Sequence, residues 1–152
     1  MLQSERYKAA VHEAGHAIMA VACEFKGIRI ELSEADNSLG RTFFDDTPIL
    51  SEHDRIRHVL VALAGMLTEQ LVTGEAPPLD HTWGHFEKAR SHAAALPGHT
   101  PESLVERAWD YLKHHVPMGL VEEVAMAAML NDGLSAEEFT EYTDRILPID
   151  LG

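Results

Sequence analysis

The apolar residues Tyr7, Val11, Ala14, Ile18 and Val21 recur at three- and four-residue intervals, the period of a helix with one buried face. The spacing predicts a helix from about Ser4 to Cys23, with Ser4 as its N-cap. Inside it stands His12-Glu13-Ala14-Gly15-His16, an H-E-x-x-H pattern. Residues four apart share a helical face one turn apart, so His12 and His16 can hold one metal ion between their imidazoles. Glu13, one residue along, reaches a metal-bound water without ligating the metal. Zinc brings the pKa of such a water toward ~7, where a carboxylate can take its proton. Ala14 and Gly15 keep bulk off the face. The plainer alternative is two surface histidines flanking a solvated glutamate. The ten histidines in the chain raise the rate of accidental motifs, but the helical context favours the metal.

The rest of the chain reads as mostly helix around a small sheet. Ile28 to Leu32 alternates as a half-buried strand does, Asp36, Asn37, Ser38 and Gly40 mark a turn, and Arg41 to Phe44 reads as a second strand at a sheet edge. A long helix is expected from Ser51 to about Val72, with Ser51 and Asp54 spaced as a capping box, and Gly74, Pro77 and Pro78 break the chain after it. Another helix is expected over Asp80 to Leu96. Thr100 and Pro101 begin the next. Pro117 and Gly119 interrupt before a helix to about Asn131, Gly133 stops that one, and Ser135 with Glu138 caps a last helix to about Ile146. With no repeat and no boundary signal, residues 1–152 are expected to form a single domain. Its class is α+β, predominantly α-helical, with a two- or three-stranded sheet and a C-terminal helix bundle.

Charge narrows the partners. Lys plus Arg is 12 against 25 for Asp plus Glu, a formal net charge of −13. Such a surface repels phosphate backbones and anionic lipid, so neither nucleic acid nor membrane is an expected partner. The single cysteine, Cys23, excludes an internal disulfide and a thiolate zinc cluster. At an apolar helix end it reads as a core thiol. No apolar run approaches bilayer-spanning length, and the polar N-terminus carries no signal-peptide pattern. The expected location is the cytoplasm.

Several segments together resemble a known family. Tyr7-Lys8-Ala9-Ala10-Val11-His12-Glu13-Ala14-Gly15-His16-Ala17 is similar to the peptidase domain of the cell-division protease FtsH. Ser38-Leu39-Gly40-Arg41-Thr42-Phe43-Phe44 resembles that family's substrate-side strand. Leu63 to Glu75 resembles its long second helix and the glycine turn after it, and Leu130 to Glu138 its last helix pair. These patches are colinear and cover most of the chain, although only the HExxH part is specific by itself. The resemblance implies a zincin-like metalloendopeptidase that hydrolyses peptides or unfolded segments with Zn2+, Glu13 acting as base. The chain shows no ATPase motif and no membrane anchor, so an unfolding motor would be a separate partner. The family's rings imply self-association.

A catalytic zinc takes three protein ligands and leaves one position open. The resemblance aligns the family's third ligand, an aspartate, with His85 in His85-Phe86-Glu87-Lys88-Ala89. His85 is a competent ligand type and continues a face made of Ala89 and Ala93, so it ranks first and Asp80 next. His81 lies one turn before His85. Glu69 would serve in another zinc-peptidase geometry, and here it reads instead as a partner orienting a histidine. His53, His58, His92 and His99 lack a spacing that ties them to the site and read as surface. Phe43 and Phe44 are expected to divide between the core and a bound peptide, which could add as a strand beside Arg41 to Phe44. The competing functional reading is a non-catalytic, zinc-stabilised binding module descended from such a peptidase.

Overall fold

Small side chains let the motif helix become the centre of the molecule. A computed structural model describes residues 5–32, 40–45, 47–74 and 100–151. Helix α1 (Glu5–Ala22) is buried all round between Glu13 and Ala20, a broader burial than a one-faced stripe. A Cβ on Gly15 would lie 2.4 Å from Thr68 Oγ1 and 2.8 Å from the Ala64 carbonyl oxygen, so only glycine permits this approach of helix α2 (Glu52–Thr73). Ile18 and Met19 on α1 and Ile56, Val59 and Leu60 on α2 are shut from solvent, which makes this seam the core.

Helix α1 ends in a way its sequence does not advertise. Glu24 adopts φ 68°, in the left-handed region, while Phe25 N–H donates to the Ala20 carbonyl at 2.9 Å and Glu24 N–H to Val21, also at 2.9 Å. This is a Schellman closure with glutamate where glycine is usual. The chain then enters β1 (Arg29–Leu32), whose residues alternate outward and inward as predicted, with Ile30 and Leu32 in the core. Strand β2 (Gly40–Phe43) runs antiparallel to β1, with Arg29 opposite Phe43 and Leu32 opposite Gly40.

On the other side of β1 lies β3 (Gly133–Leu134), giving the order β2-β1-β3. Gly133 is more than the helix stop its position in the sequence predicts. Its φ of 140°, and the 2.3 Å that a Cβ would leave to the Ile30 carbonyl oxygen, show that it also admits the close strand contact. The architecture is α+β and predominantly helical, with a three-stranded antiparallel sheet.

The caps follow local chemistry. Ser51 Oγ accepts from Asp54 N–H at 3.1 Å, and the Asp54 carboxylate accepts from Leu50 N–H at 3.0 Å. The expected Ser51–Asp54 pair is therefore half a capping box, shifted by one residue. Gly74, at φ 74°, closes α2 by donating to the Gln70 carbonyl at 2.9 Å. Full capping boxes open α3 (Pro101–His115), through Thr100 and Ser103, and α5 (Ala136–Thr143), through Ser135 and Glu138. Between them lies α4 (Met118–Leu130), which packs on α1 while α3 packs on α2. Helix α5 stops at Thr143, short of the expected Ile146. The expected helix over Asp80 to Leu96 lies outside the described residues. Among the described residues no helix is long and apolar enough to cross a membrane.

Cys23 is buried where α1 ends, and burial pushes its thiol up to about 12. Because the thiolate is the reactive form, a disulfide reagent at pH 8 should label the folded chain at least about a thousandfold more slowly than the denatured chain. Stopped-flow thiol titration with and without denaturant measures this.

Candidate metal centre

One helical turn separates His12 from His16, and their rings meet edge to face, with centroids 4.7 Å apart and planes at 74°. Both turn toward α2 at Gly65. A Cβ there would fall 2.4 Å from His16 Nε2 and 2.7 Å from His12 Nε2. Both Nε2 atoms thus lie beside the Gly65 backbone, where any side chain would collide with the two rings.

The opposite nitrogens are held by α2. His16 Nδ1 lies 2.5 Å from the Val61 carbonyl oxygen, which can only accept, so Nδ1 carries a proton and the neutral ring has its lone pair on Nε2. His12 Nδ1 lies 3.1 Å from Glu69 Oε1. A carboxylate or a carbonyl behind each imidazole is the usual support of a metal-ligating histidine, since it sets the tautomer and the ring plane. Glu69 meets the Nδ1 side of His12, which makes it an orienting partner.

Glu13 is 7% exposed and His16 is 6% exposed, unusual burial for such side chains. Thr42 Oγ1 reaches the Glu13 carboxylate at 2.8 Å and the Glu13 main-chain carbonyl at 3.0 Å. Burial holds the Glu13 carboxyl above its ordinary range. His12 and the Thr42 hydrogen bond pull it down, and the Glu69 charge pushes it up. The net effect is a carboxylate with raised proton affinity, the direction that suits a general base.

Glu13 and His16 line a cleft of about 480 Å³ between β2 and α2. Its walls include Thr42, Phe43, Phe44, His58 and Ala62. Phe44 stacks on Phe25 with centroids 4.4 Å apart, while Phe43 lies under the Arg29 guanidinium at 5.1 Å. Both rings are half-buried, so neither is simply core. His58 was expected at the surface. It packs instead edge-on to Phe25, with centroids at 5.0 Å, and its buried Nε2 has no hydrogen-bond partner among the described residues. The signal was present as spacing: His58, Ala62, Gly65 and Glu69 fall four, three and four residues apart, one face of α2 that runs the length of the site.

Two imidazoles one helical turn apart, each with an acceptor at Nδ1 and Nε2 on the side of Gly65, are donors of the kind that hold a divalent ion such as zinc. Among the described residues no group of three or more His, Cys, Asp or Glu side chains is placed to hold a metal. Of the four candidates for a third ligand, His85, Asp80 and His81 lie outside the described residues, and Glu69 meets His12 at Nδ1.

Gly65→Ala puts a methyl group between the two Nε2 atoms and should weaken zinc binding by about tenfold or more, while Glu69→Gln should weaken it about 10- to 100-fold. Competition against a chromophoric chelator reads both constants, and unchanged affinity in Gly65→Ala would contradict the cradle.

Compared with known proteins, the chain matches no family model and no curated protein sequence.

Proposed function

We propose that the chain is a zinc-dependent metalloendopeptidase that hydrolyses peptides or unfolded protein segments. The observation that carries the reading is the pairing of His12 and His16 one turn apart, both with Nε2 beside Gly65 and an acceptor at Nδ1, with the buried Glu13 carboxylate lining a cleft beside strand β2. The resemblance of the motif helix, the strand and the second helix to the FtsH peptidase domain supports it.

In this reading His12 and His16 hold the ion through Nε2, and the third ligand is His85, with Asp80 and His81 as the alternatives. The bound ion would acidify a water and polarise the scissile carbonyl. Glu13 accepts the water's proton and later returns it to the leaving amine. Glu69 and the Val61 carbonyl keep the imidazoles in register while Glu13 changes charge. Among the described residues strand β2 ends the sheet, so an extended peptide can pair along its outer side and lay a side chain into the cleft walled by Phe43, Phe44 and Ala62. The net charge of −13 disfavours anionic polymers as substrates. Folded substrates would call for a separate ATPase or a self-assembled ring, and the cytoplasm is the compartment that suits a lone buried thiol.

Glu13→Gln keeps the shape of the side chain and removes its basicity. It should retain zinc and lose about 100-fold or more in kcat on a casein or peptide-library substrate. Zinc stoichiometry by elemental analysis, with turnover from the same preparation, decides the matter. Undiminished turnover in the variant would refute the enzyme reading, and a zinc-loaded wild type that cleaves nothing would favour the binding module.

A further inference from the structure

Thr42 stands on the outer strand, and its hydroxyl faces two acceptors that belong to one residue. Oγ1 is 2.8 Å from Glu13 Oε1 and 3.0 Å from the Glu13 carbonyl oxygen. Gly40 and Thr42 are two apart in β2 and therefore share a face. A Cβ on Gly40 would sit 2.8 Å from Glu13 Cγ and 2.9 Å from Leu32 Cδ2, so the missing side chain lets the strand lie flat against Glu13. The β-branch of threonine restricts χ1, which fixes the direction of the hydroxyl once the strand has paired.

We propose that Thr42 is a positioning residue for Glu13: it fastens the carboxylate to the strand along which the peptide would lie, so that substrate and base share one frame. The inference rests on the peptidase reading and goes beyond it by naming what sets the reach of the base. A glutamate side chain has three rotatable bonds, and the hydroxyl restrains them by giving its one hydrogen to the carboxylate or to the residue's own carbonyl, both within reach. A hydroxyl can also accept. When Glu13 carries a proton, that proton can point to Thr42 Oγ1 while the hydroxyl hydrogen turns to the Glu13 carbonyl. The link therefore survives both halves of a proton transfer, and no atom need move by more than a rotation about the C–O bonds.

Misplacing a reacting group by about 1 Å costs about 100-fold in rate, which sets the scale of the test. In the zinc-loaded full chain, Thr42→Val should lower kcat by about 10- to 100-fold, with KM and zinc affinity little changed. Thr42→Ala should behave alike without the added methyl group. Thr42→Ser, which keeps the hydroxyl but not the branch, should bring kcat back to within about threefold of the wild type. A loss as large in the serine variant, or a loss confined to KM, overturns the proposal. Native-state amide exchange gives a readout free of catalysis. Thr42→Val should speed opening of β2 by about tenfold in the presence of Glu13 and by less than about twofold after Glu13→Ala. Equal acceleration in both backgrounds overturns the proposal whether or not peptide is cleaved. Coupled exchange in a zinc-loaded wild type that cleaves nothing counts against the peptidase reading and not against the Thr42–Glu13 link.

Discussion

The approach of α1 to α2 through two glycines governs the rest of the structure. Gly15 gives way to Thr68 and the Ala64 carbonyl, and Gly65 gives way to the two imidazoles. Each glycine removes the side chain that would hold the helices apart. The separation they allow is what puts the Val61 carbonyl and the Glu69 carboxylate within hydrogen-bond range of the histidines. A helix interior normally loses about 0.5–1 kcal/mol for glycine in place of alanine, so both positions give up helix propensity for contact. The site is thus a property of the helix pair, and α1 alone would carry the motif without the geometry.

Burial of charge-bearing groups at this seam is tolerated because they have partners. His12, His16 and Glu13 are bonded to Glu69, Val61 and Thr42, each supplied by a different turn of α2 or by β2. The contrast is Thr68, whose hydroxyl is fully buried against Gly15 and has no hydrogen-bond partner among the described residues. An unsatisfied buried hydroxyl typically costs about 1–3 kcal/mol, so the seam is not tuned for stability at every position. The groups it does satisfy are those around the proposed ion.

Much of this was legible in the sequence, for local reasons. Ser135 with Glu138, Thr100 with Pro101, and Gly74 announce helix ends through side chains or φ preferences that act within four residues. The His12–Glu13–His16 spacing is likewise a one-turn relation. What escaped depends on residues far apart in the chain. β3 is two residues long and exists only because Gly133 can lie against Ile30, about a hundred positions away. His58 reads as surface until Phe25 and Phe44 fold over it. Glu24 takes a left-handed conformation that its identity does not favour, imposed by Phe25 turning back into the core beside Ala20.

The position of β2 at the margin of the sheet has a consequence for the molecule as a population. A strand open on one side can template its own kind, and crowded chains can stitch together through it. Two features oppose this: the strand is only four residues long, with exposed Arg41 among them, and every copy carries the same surplus of negative charge. That mutual repulsion fades as acidification neutralises the carboxylates or as salt screens them. Colloidal behaviour in acidic or high-salt buffers is therefore tied to the same edge, unpaired among the described residues, that would take a guest strand.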